Sequence, residues 1–454
     1  MNNNNHILAD EKVGRLLVNL STPAMVAMLV TALYNVVDTI YIGRGVGPMA
    51  IAGITIVFPI QMLVMAIAMM VGIGGASVIS RALGAGDYEK ANTTFGNVLL
   101  SIVIFGLSLA FLGNIFIDQL LALFGASDTI LPYARDYARI ILLGTVFFSF
   151  SMSSNNVVRS EGRAKVAMTT MLISAILNII LDPIFIFGFK WGIKGAAAAT
   201  VISQIVTVLY LAYYFYSGKS SLTLHLRNLR LKSVIMREIV VVGSPSLVRQ
   251  LSASVMIVVI NNTLRVYGGD ISIALFGIMH RMLMFVSMPL FGIAQGMQPI
   301  VGFNYGAKRY DKAKRVLALS IKATTIVSTA GAIFLISFSK IIISIFTKDP
   351  ELIRMGVPAV RIFIMSLPVF GFQVVGSTLF QAIGKAREAL FLTVSRQIFL
   401  IGLILVLPRL FKLTGVWMTF PLTDFVFFFV TLLLYLPQLR EFDRNIAAVR
   451  GVTT

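Results

Sequence analysis

Long apolar stretches separated by short polar segments dominate the pattern of hydrophobic and polar positions along this chain. The stretches recur from Leu16 to Leu436, and each is about 20 residues or longer, which is enough for an α-helix to cross a bilayer. Strand-like alternation is absent, which argues against an outer-membrane barrel. We therefore predict an all-α polytopic membrane protein with twelve transmembrane helices, at 17–43, 51–80, 94–116, 134–156, 167–188, 193–216, 236–266, 271–301, 316–339, 356–382, 388–411 and 414–437.

The chain contains two copies of one unit, because three segments recur 222 positions later. They are GAGDYEKA (84–91) with GAKRYDKA (306–313), STPAMVAMLV (21–30) with GSPSLVRQLS (243–252), and EGRAKVA (161–167) with IGKAREA (383–389). An offset that carries six spans leaves both copies in the same orientation, as parallel repeats related by an axis along the membrane normal. The prediction is two six-helix lobes related by an internal pseudo-two-fold repeat, 1–217 (spans 1–6) and 236–454 (spans 7–12), joined by a polar cytoplasmic linker, 218–235.

Composition supports a membrane protein and limits the chemistry. Of the 454 residues, 57% are hydrophobic and 13% are charged, whereas soluble domains carry about 25% charged residues. The chain has no cysteine, and His6, His225 and His280 lack metal-ligand spacing. Because the polar amino terminus lacks the layout of a cleavable signal, we expect the first apolar run to stay as a transmembrane helix.

The net charge of +19 is explained by where the basic residues lie. Lys and Arg concentrate in the loops on the side of the two termini, above all in 219–237 and 308–315. This bias predicts a multi-pass protein of the cytoplasmic membrane with both termini cytoplasmic. We expect the basic loops to contact membrane lipids, and we expect no nucleic-acid partner.

Carboxylates inside two of the apolar spans mark a candidate site. Asp38 lies in span 1 and Asp182 in span 5, although a carboxylate in the membrane costs several kcal/mol unless it faces a partner, an ion or water. Asn178 precedes Asp182 by one helical turn, and Thr200 adds a hydroxyl in span 6. Pro183 removes a backbone donor beside the acid. These oxygens suit a hard cation such as Na⁺, and the carboxyl pair can instead take up a proton.

Two other interpretations of these acids are open. Asp38 can be a buried hydrogen-bonded acid that only holds Tyr34 and Asn35 in place, and Asp182 can reach water at a helix end beside Pro183. The second half differs, because position 260, which the repeat pairs with Asp38, is Ile. Its intramembrane charges are predicted to form a structural network of Arg249, Arg281 and Arg396 with Asp424.

Two six-helix lobes suggest a carrier that rocks one lobe against the other. No catalytic cluster or ion filter is visible in the sequence, so we do not expect an enzyme or a channel. A flippase of a lipid-linked precursor on the same scaffold is the alternative, because the arginines of the second half suit pyrophosphate. Polar or adaptable residues deep in the spans are candidates for the substrate cavity: Asn35, Gln61, Met69, Asn155 and Asn156.

Several segments together resemble the multidrug and toxic compound extrusion (MATE) family. They are LYNVVDTIYIGRGVGPMAIAGI (33–54), GIGGASVISRALGAGDYEKA (72–91), EGRAKVAM (161–168), NIILDPIFIFGFKWGIKGAAAAT (178–200) and QGMQPIVGFNYGAKRYDKAKR (295–315). The resemblance covers nearly the whole chain and is strongest to the prokaryotic DinF-like branch. It implies a twelve-helix antiporter that exports amphipathic, often cationic small molecules against Na⁺ or H⁺.

The resemblance also assigns roles to particular residues. It implies that Asp38, Asn178, Asp182 and Thr200 are the ligands of the coupling cation, with Tyr34 nearby. Spans 7 and 10 lack the acids that another branch of the family uses, so no second coupling site is expected there. No cofactor beyond the coupling ion is implied, and we expect the monomer to be the functional unit.

Overall fold

The computed structural model describes residues 7–10, 12–347 and 349–449, which are helical apart from short connections and contain no β-strand. The helices are α1 (Val13–Gly45), α2 (Pro48–Ala85), α3 (Tyr88–Ile115), α4 (Ile117–Leu123), α5 (Leu131–Ser160), α6 (Ala164–Pro183), α7 (Ile193–Tyr216), α8 (Ser233–Gly306), α9 (Tyr310–Ser337), α10 (Ser339–Phe346), α11 (Pro350–Ile364), α12 (Leu367–Ala382) and α13 (Ala386–Val449). One π-helical turn, Ile184–Gly188, follows α6, and short 3₁₀ turns cover Ile7–Ala9 and Leu226–Asn228. The predicted all-α class is confirmed.

Twelve membrane crossings account for the described helices. Ten helical segments are long and apolar enough to span a bilayer, and α11 with α12, bent by 44°, makes an eleventh. One of the ten is α13, whose 64 residues exceed a hydrocarbon core of about 30 Å threefold, so it folds into two crossings at the left-handed Lys412. Gly269 divides α8 in the same way. The helices run a few residues past the predicted apolar runs, and the short α4 and α10 were not predicted.

The motif GAGDYEKA is a tight turn between two spans. Gly86 adopts a left-handed conformation (φ 78°) after α2, which a glycine adopts without steric cost. Asp87 then caps α3, because its carboxylate accepts a hydrogen bond from the backbone N–H of Lys90 at 2.9 Å. In the repeated copy Lys308 takes the left-handed position with φ 57°. The motif therefore recurs because the second copy needs the same tight reversal of chain direction between two spans.

Helix boundaries repeat with the offset that the sequence shows. The pairs of helix starts that stand 222 positions apart are Tyr88 and Tyr310, Ile117 and Ser339, and Ala164 and Ala386. Left-handed residues recur at the same spacing, in the pairs Gly47 and Gly269, Gly162 and Gly384, and Lys190 and Lys412. The two halves of the chain therefore share one architecture, including α4 and α10, which occupy equivalent places.

The described chain divides into two compact units that exchange short segments. Among the described residues, the first unit contains Ile7–Ala9 and Val26–Gln250, and the second contains Asp10–Met25 and the chain from Leu251 to Val449. The amino-terminal part of α1 thus packs within the second unit, and the amino-terminal part of α8 packs within the first. The first unit also includes the linker 218–235, and the lobe ranges 1–217 and 236–454 stay a prediction.

Glycines permit close helix contact at each exchanged segment. In the first unit, a Cβ on Gly243 of α8 would lie 1.9 Å from the backbone oxygen of Met70, and one on Gly74 would lie 2.0 Å from that of Ile239. In the second unit, a Cβ on Gly296 would lie 2.7 Å from the backbone nitrogen of Ser21. Backbones approach this closely only where side chains are absent.

The linker after α7 is tied to the turn that follows α5. Glu161 in that turn is 1% exposed, and its carboxylate accepts hydrogen bonds from Ser220 Oγ at 2.8 and 3.0 Å and from the backbone N–H of Ser221 at 2.5 Å. Burial raises the pKa of Glu161 to about 7, although these donors and the charge of Arg163 oppose the rise. The folded protein therefore holds a proton on Glu161 more tightly than the unfolded chain does.

This raised pKa predicts a pH-dependent stability. The contribution of Glu161 to the free energy of unfolding is fully present below pH of about 4.5 and is lost as the pH rises through about 7. The melting temperature of the purified protein should therefore fall relative to that of Glu161→Gln between pH 5 and about pH 8. The same scan on Glu89→Gln, at the exposed start of α3, is the control. A difference between wild type and Glu161→Gln that stays constant with pH would contradict the prediction.

Candidate functional site

The predicted cation ligands lie at one level of the first unit, near the same end of three helices. Asp38 stands seven residues before Gly45, the last residue of α1, and is therefore about 10 Å from that end. Asp182 stands six residues before the end of the π turn, and Thr200 follows the start of α7 by seven. A single apolar cluster packs these helix ends together; it includes Ile42, Ile186 and Ile193.

Two carboxyl groups come together at this level of the first unit, where their buried oxygens lack hydrogen-bond donors. Asp38 and Asp182 lie close enough for their carboxyl groups to interact. Asp182 is fully buried, and both of its carboxyl oxygens lack a hydrogen-bond partner among the described residues. The same is true of Asp38 Oδ1 and of Asn178 Oδ1. Four buried acceptor oxygens on three neighbouring side chains are thus unsatisfied, which costs free energy unless a cation or proton joins them.

Thr200 and Asn178 join α6 to α7 beside the pair. The Asn178 amide Nδ2 donates to Thr200 Oγ1 at 3.2 Å, and Thr200 Oγ1 donates back to the carbonyl oxygen of Ala196 at 3.1 Å. Because its amide nitrogen is engaged in this way, Asn178 is held in one orientation. The amide oxygen Oδ1 has no hydrogen-bond partner among the described residues, so it is the atom that a cation would bind.

The backbone beside Asp182 leaves the regular α-helix. Regular α6 ends at Pro183, and the wider π turn Ile184–Gly188 follows. Proline lacks the N–H that the preceding turn requires, and π turns of this kind are frequent at functional sites. Gly45 lies against the turn so closely that a Cβ would be 2.3 Å from Ile186 Cγ2. The end of α1 and the end of span 5 are therefore in direct contact.

Two tyrosines stand within the electrostatic reach of the carboxyl pair. Tyr34, which is predicted to lie near the cation ligands, stands one helical turn before Asp38. It lies close enough to both acids to be affected by their charges. Tyr137 of α5, 5% exposed, is affected by both acids as well, and Gln61 Nε2 donates to its hydroxyl oxygen at 3.4 Å. The sequence did not indicate Tyr137. It lies in a helix start with several charged residues, where a tyrosine gives no distinctive signal.

The corresponding positions of the second unit are apolar and packed. The residues that stand 222 positions after Tyr34, Asp38, Tyr137, Asn178 and Asp182 are Met256, Ile260, Ala359, Leu400 and Ile404, and all five belong to one buried hydrophobic cluster. The architecture is thus stable with hydrocarbon at this place. The polar set of the first unit is therefore an addition to the fold rather than a requirement of it.

The set of oxygens on Asp38, Asn178 and Asp182 fits a hard cation or a proton. Two like charges close together in a medium of low dielectric repel strongly, and a bound cation or a shared proton removes that repulsion. Among the described residues, no group of three or more His, Cys, Asp and Glu side chains could hold a metal ion. Carboxylate and amide oxygens favour hard cations.

The candidate cavity residues differ in what they contact. Asn155 is 6% exposed and its Oδ1 accepts from Thr170 Oγ1 at 2.5 Å, so it joins α5 to α6. Asn156 donates to the backbone oxygen of Met152 within its own helix at 2.9 Å. Asn35 is exposed and Met69 is half-buried. These contacts occupy Gln61, Asn155 and Asn156 within the helix bundle, so Asn35 and Met69 are the better candidates for contact with a substrate.

Two of the four residues predicted to form a charge network in the second half form an ion pair. Arg396 NH2 lies 2.7 Å from Asp424 Oδ1. Arg281 is exposed and Arg249 is half-buried, and neither forms an ion pair among the described residues. An exposed arginine in an apolar span can extend its guanidinium to the headgroup region.

Apolar spans in two repeated halves, with an enclosed acid pair, are the architecture of an integral-membrane transporter. The sequence profile of the MatE family matches residues 23–184 and 245–406, which are again 222 positions apart. The chain belongs to the MatE family. The resemblance seen in the sequence is thus confirmed.

Known relatives cover nearly the whole chain. The multidrug export protein MepA of Staphylococcus haemolyticus is 28% identical over 90% of both chains, and MepA of Staphylococcus aureus is 26% identical over 89% of both. A solved outward-facing multidrug resistance MATE transporter of the MOP superfamily matches 96% of the chain at 29% identity and a TM-score of 0.90. A MOP superfamily transporter from Pyrococcus furiosus, described as having a binding pocket of reverse polarity, matches at 30% identity over 96% of this chain and 98% of its own, with a TM-score of 0.89.

Proposed function

We propose that the chain is a secondary active antiporter that exports amphipathic, often cationic compounds in exchange for Na⁺ or H⁺. The observation that carries the proposal is the set of four unsatisfied oxygens on Asp38, Asn178 and Asp182. The relatives named as multidrug export proteins support the substrate class. None of the relatives reported above is described as a lipid flippase, so that alternative is not carried further.

The proposed site lies near the side from which a driving cation would enter. If both termini are cytoplasmic, α1 crosses outward once, and its Gly45 end is extracellular. Asp38 is then about 10 Å from the extracellular end of its helix. A cation that moves down its gradient therefore meets the acid pair soon after it enters the membrane.

Coupling requires that the cation and the substrate favour different states. Occupation of the acid pair removes the repulsion between Asp38 and Asp182 and allows α1 to pack against span 5 near Gly45. A ligand that binds both states equally shifts nothing, so the pair must hold its cation more tightly in one state. Substrate binding then favours the other state, and the two lobes rock between them. No cofactor takes part beyond the ion, and one chain in contact with membrane lipids suffices.

The nature of the ion is testable at Asn178. The variant Asn178→Leu introduces the residue that the second unit carries at the equivalent position, Leu400. If Na⁺ is the driving ion, loss of the amide oxygen should reduce Na⁺-driven drug efflux from proteoliposomes roughly tenfold. If H⁺ is the driving ion, the carboxyl pair alone carries it, and efflux driven by a pH gradient should fall less than about threefold.

Asn114→Leu, which removes an amide bonded only to its own helix at Ala110, is the matched control. Wild-type protein should export ethidium under at least one of the two gradients when they are imposed separately. If neither a Na⁺ gradient nor a pH gradient drives efflux in wild type, the antiporter proposal fails.

A further inference from the structure

A second polar cluster lies in the second unit, around Asp424. Asp424 is 8% exposed, and its Oδ2 accepts a hydrogen bond from Ser366 Oγ at 2.8 Å while Oδ1 accepts from Arg396 at 2.7 Å. Its backbone oxygen accepts from Gln373 Nε2, also at 2.7 Å. Ser366 lies at the bend between α11 and α12. Two side chains, those of Ser366 and Arg396, therefore meet at the carboxylate of Asp424, and that of Gln373 reaches its backbone oxygen.

The cluster is placed deep in the membrane. Arg396 follows the start of α13 by ten residues, or about 15 Å, which is half of a hydrocarbon core of about 30 Å. Asp424 follows the break at Lys412 by twelve residues, or about 18 Å. Charged residues at this depth are expensive and usually functional.

The repeated architecture does not require the cluster. The residues that stand 222 positions before Ser366, Gln373 and Arg396 are Gly144, Ser151 and Ser174, none of which carries a charge. The first unit therefore builds the same spans without an ion pair here. A buried ion pair contributes little net stability compared with apolar packing, so stability alone is a poor reason for its presence.

Two polar atoms of the cluster have no partner among the described residues. They are the Nε of Arg396, which is a charged donor, and the Oε1 of Gln373, which is an acceptor on a side chain 7% exposed. The carboxylate oxygens of Asp424 are already engaged by Ser366 and Arg396. The free groups thus match a ligand that offers an anionic oxygen to the guanidinium and a hydrogen-bond donor to Gln373.

Aromatic rings lie beside the guanidinium. The Arg396 guanidinium stands over the ring of Phe370 at 5.9 Å, and Phe370 meets Phe291 edge to face at 6.4 Å. Both rings and the Arg396 side chain are half-buried, and the unpartnered Nε of Arg396 is itself buried. A flat aromatic framework attached to the anionic group would stack on these rings.

We propose that Arg396, Gln373 and Phe370 form a binding subsite for the carboxylate of an aromatic amphiphile, with Asp424 and Ser366 as positioning residues. The proposal rests on the function proposed above, because it assigns a class of exported compound, aromatic carboxylates and zwitterions, to a place in the chain. Asp424 holds the guanidinium in one plane, and the carboxylate of the ligand binds its free Nε edge. Cationic groups of the same compound are bound elsewhere.

Equilibrium binding of two matched probes tests the subsite. The probes are 1-pyrenebutyric acid and its methyl ester, measured by pyrene fluorescence on purified protein in nanodiscs, with partition into protein-free nanodiscs subtracted. Wild type should bind the acid roughly tenfold more tightly than the ester, the preference that one charge-assisted hydrogen bond provides. The double variant Arg396→Gln with Asp424→Asn leaves no buried charge unpaired, and it should bind both probes about equally.

Two further variants separate binding from folding. Arg396→Lys keeps a positive charge for Asp424 but loses the planar Nε donor, so its preference for the acid should fall below about threefold while the melting temperature changes little. Arg281→Gln, an exposed arginine of the same unit outside the cluster, should keep the full preference. Equal binding of the acid and the ester by wild type, or an unchanged preference in Arg396→Lys, would overturn the proposal.

A comparison of two lipid compositions distinguishes a substrate carboxylate from a lipid phosphate as the group that Arg396 binds. Nanodiscs of phosphatidylcholine alone are compared with nanodiscs that contain phosphatidylglycerol, whose phosphate offers the same chemistry. Binding of the acid should be unaffected; displacement by phosphatidylglycerol would assign the arginine to a lipid headgroup and overturn a substrate subsite. Because this assay uses no gradient, it measures the subsite without coupled efflux. Failure of coupled efflux and failure of the subsite are therefore observed separately.

Discussion

Asp38→Asn and Asp182→Asn should each reduce drug efflux from proteoliposomes to the level of protein-free vesicles, under a Na⁺ gradient and under a pH gradient alike. Each change removes one of the two charges that we propose hold the cation, and it leaves a neutral amide of nearly the same shape. Asp182 is fully buried, and none of its oxygens has another partner among the described residues. The lost interaction therefore has no replacement, and the expected loss is roughly a hundredfold or more.

Asp118→Asn provides the matched control for this experiment. Asp118 lies at the exposed start of α4 and forms a 2.6 Å ion pair with Arg135, which contributes little to stability at an exposed position. Efflux by Asp118→Asn should stay within about twofold of wild type. If Asp38→Asn or Asp182→Asn retained full coupled efflux, that acid would be removed from the mechanism, and the alternative of a structural acid would stand.

Gly243→Ala should produce the second large effect, a loss of both stability and transport. The added Cβ would lie 1.9 Å from the backbone oxygen of Met70, and backbone cannot move aside as a side-chain tip can. The amino-terminal part of α8 would have to separate from α2. We expect a cost of about 2 kcal/mol or more and a roughly tenfold loss of efflux, since close backbone contact holds spans together in a membrane.

Gly277→Ala is the control, because Gly277 lies in the part of α8 after the break at Gly269 and a Cβ there would meet nothing within 4 Å. Alanine favours a helix over glycine by about 1 kcal/mol, so this variant should be neutral or slightly stabilised. Thermal unfolding in detergent and ethidium efflux measure both variants. Equal melting temperatures for Gly243→Ala and Gly277→Ala would show that the exchanged segment does not depend on the contact.

The features predicted from sequence are those that leave a local signal. Apolar runs gave the twelve spans, and the recurrence of GAGDYEKA gave the repeat, because both are properties of adjacent residues. Asp38 and Asp182 were visible because a carboxylate is rare in such runs. Their meeting, and the unsatisfied oxygens that make the pair a candidate cation site, depend on packing between α1 and α6. Sequence position alone does not specify that packing.

Other features had no local signal. Tyr137 resembles any interfacial tyrosine until its distance to the acids is known. The helices α4 and α10 have seven and eight residues, which is too short for an apolar pattern to register. The exchange of helix segments between the two units depends on long-range glycine contacts such as that of Gly243 with Met70. Arginines in the second half could be counted, but only the structure shows that Arg396 is the one that meets Asp424.

The central claim is that the acid pair of the first unit binds the coupling cation. The most direct measurement is equilibrium cation binding to the purified protein, with ²²Na⁺ uptake and proton uptake in weak buffer recorded in parallel. The claim predicts that wild type takes up more Na⁺ or more protons near neutral pH than the double variant Asp38→Asn with Asp182→Asn, in which only other groups, such as Glu161, still take up protons. Undiminished uptake of both cations by the double variant would contradict it.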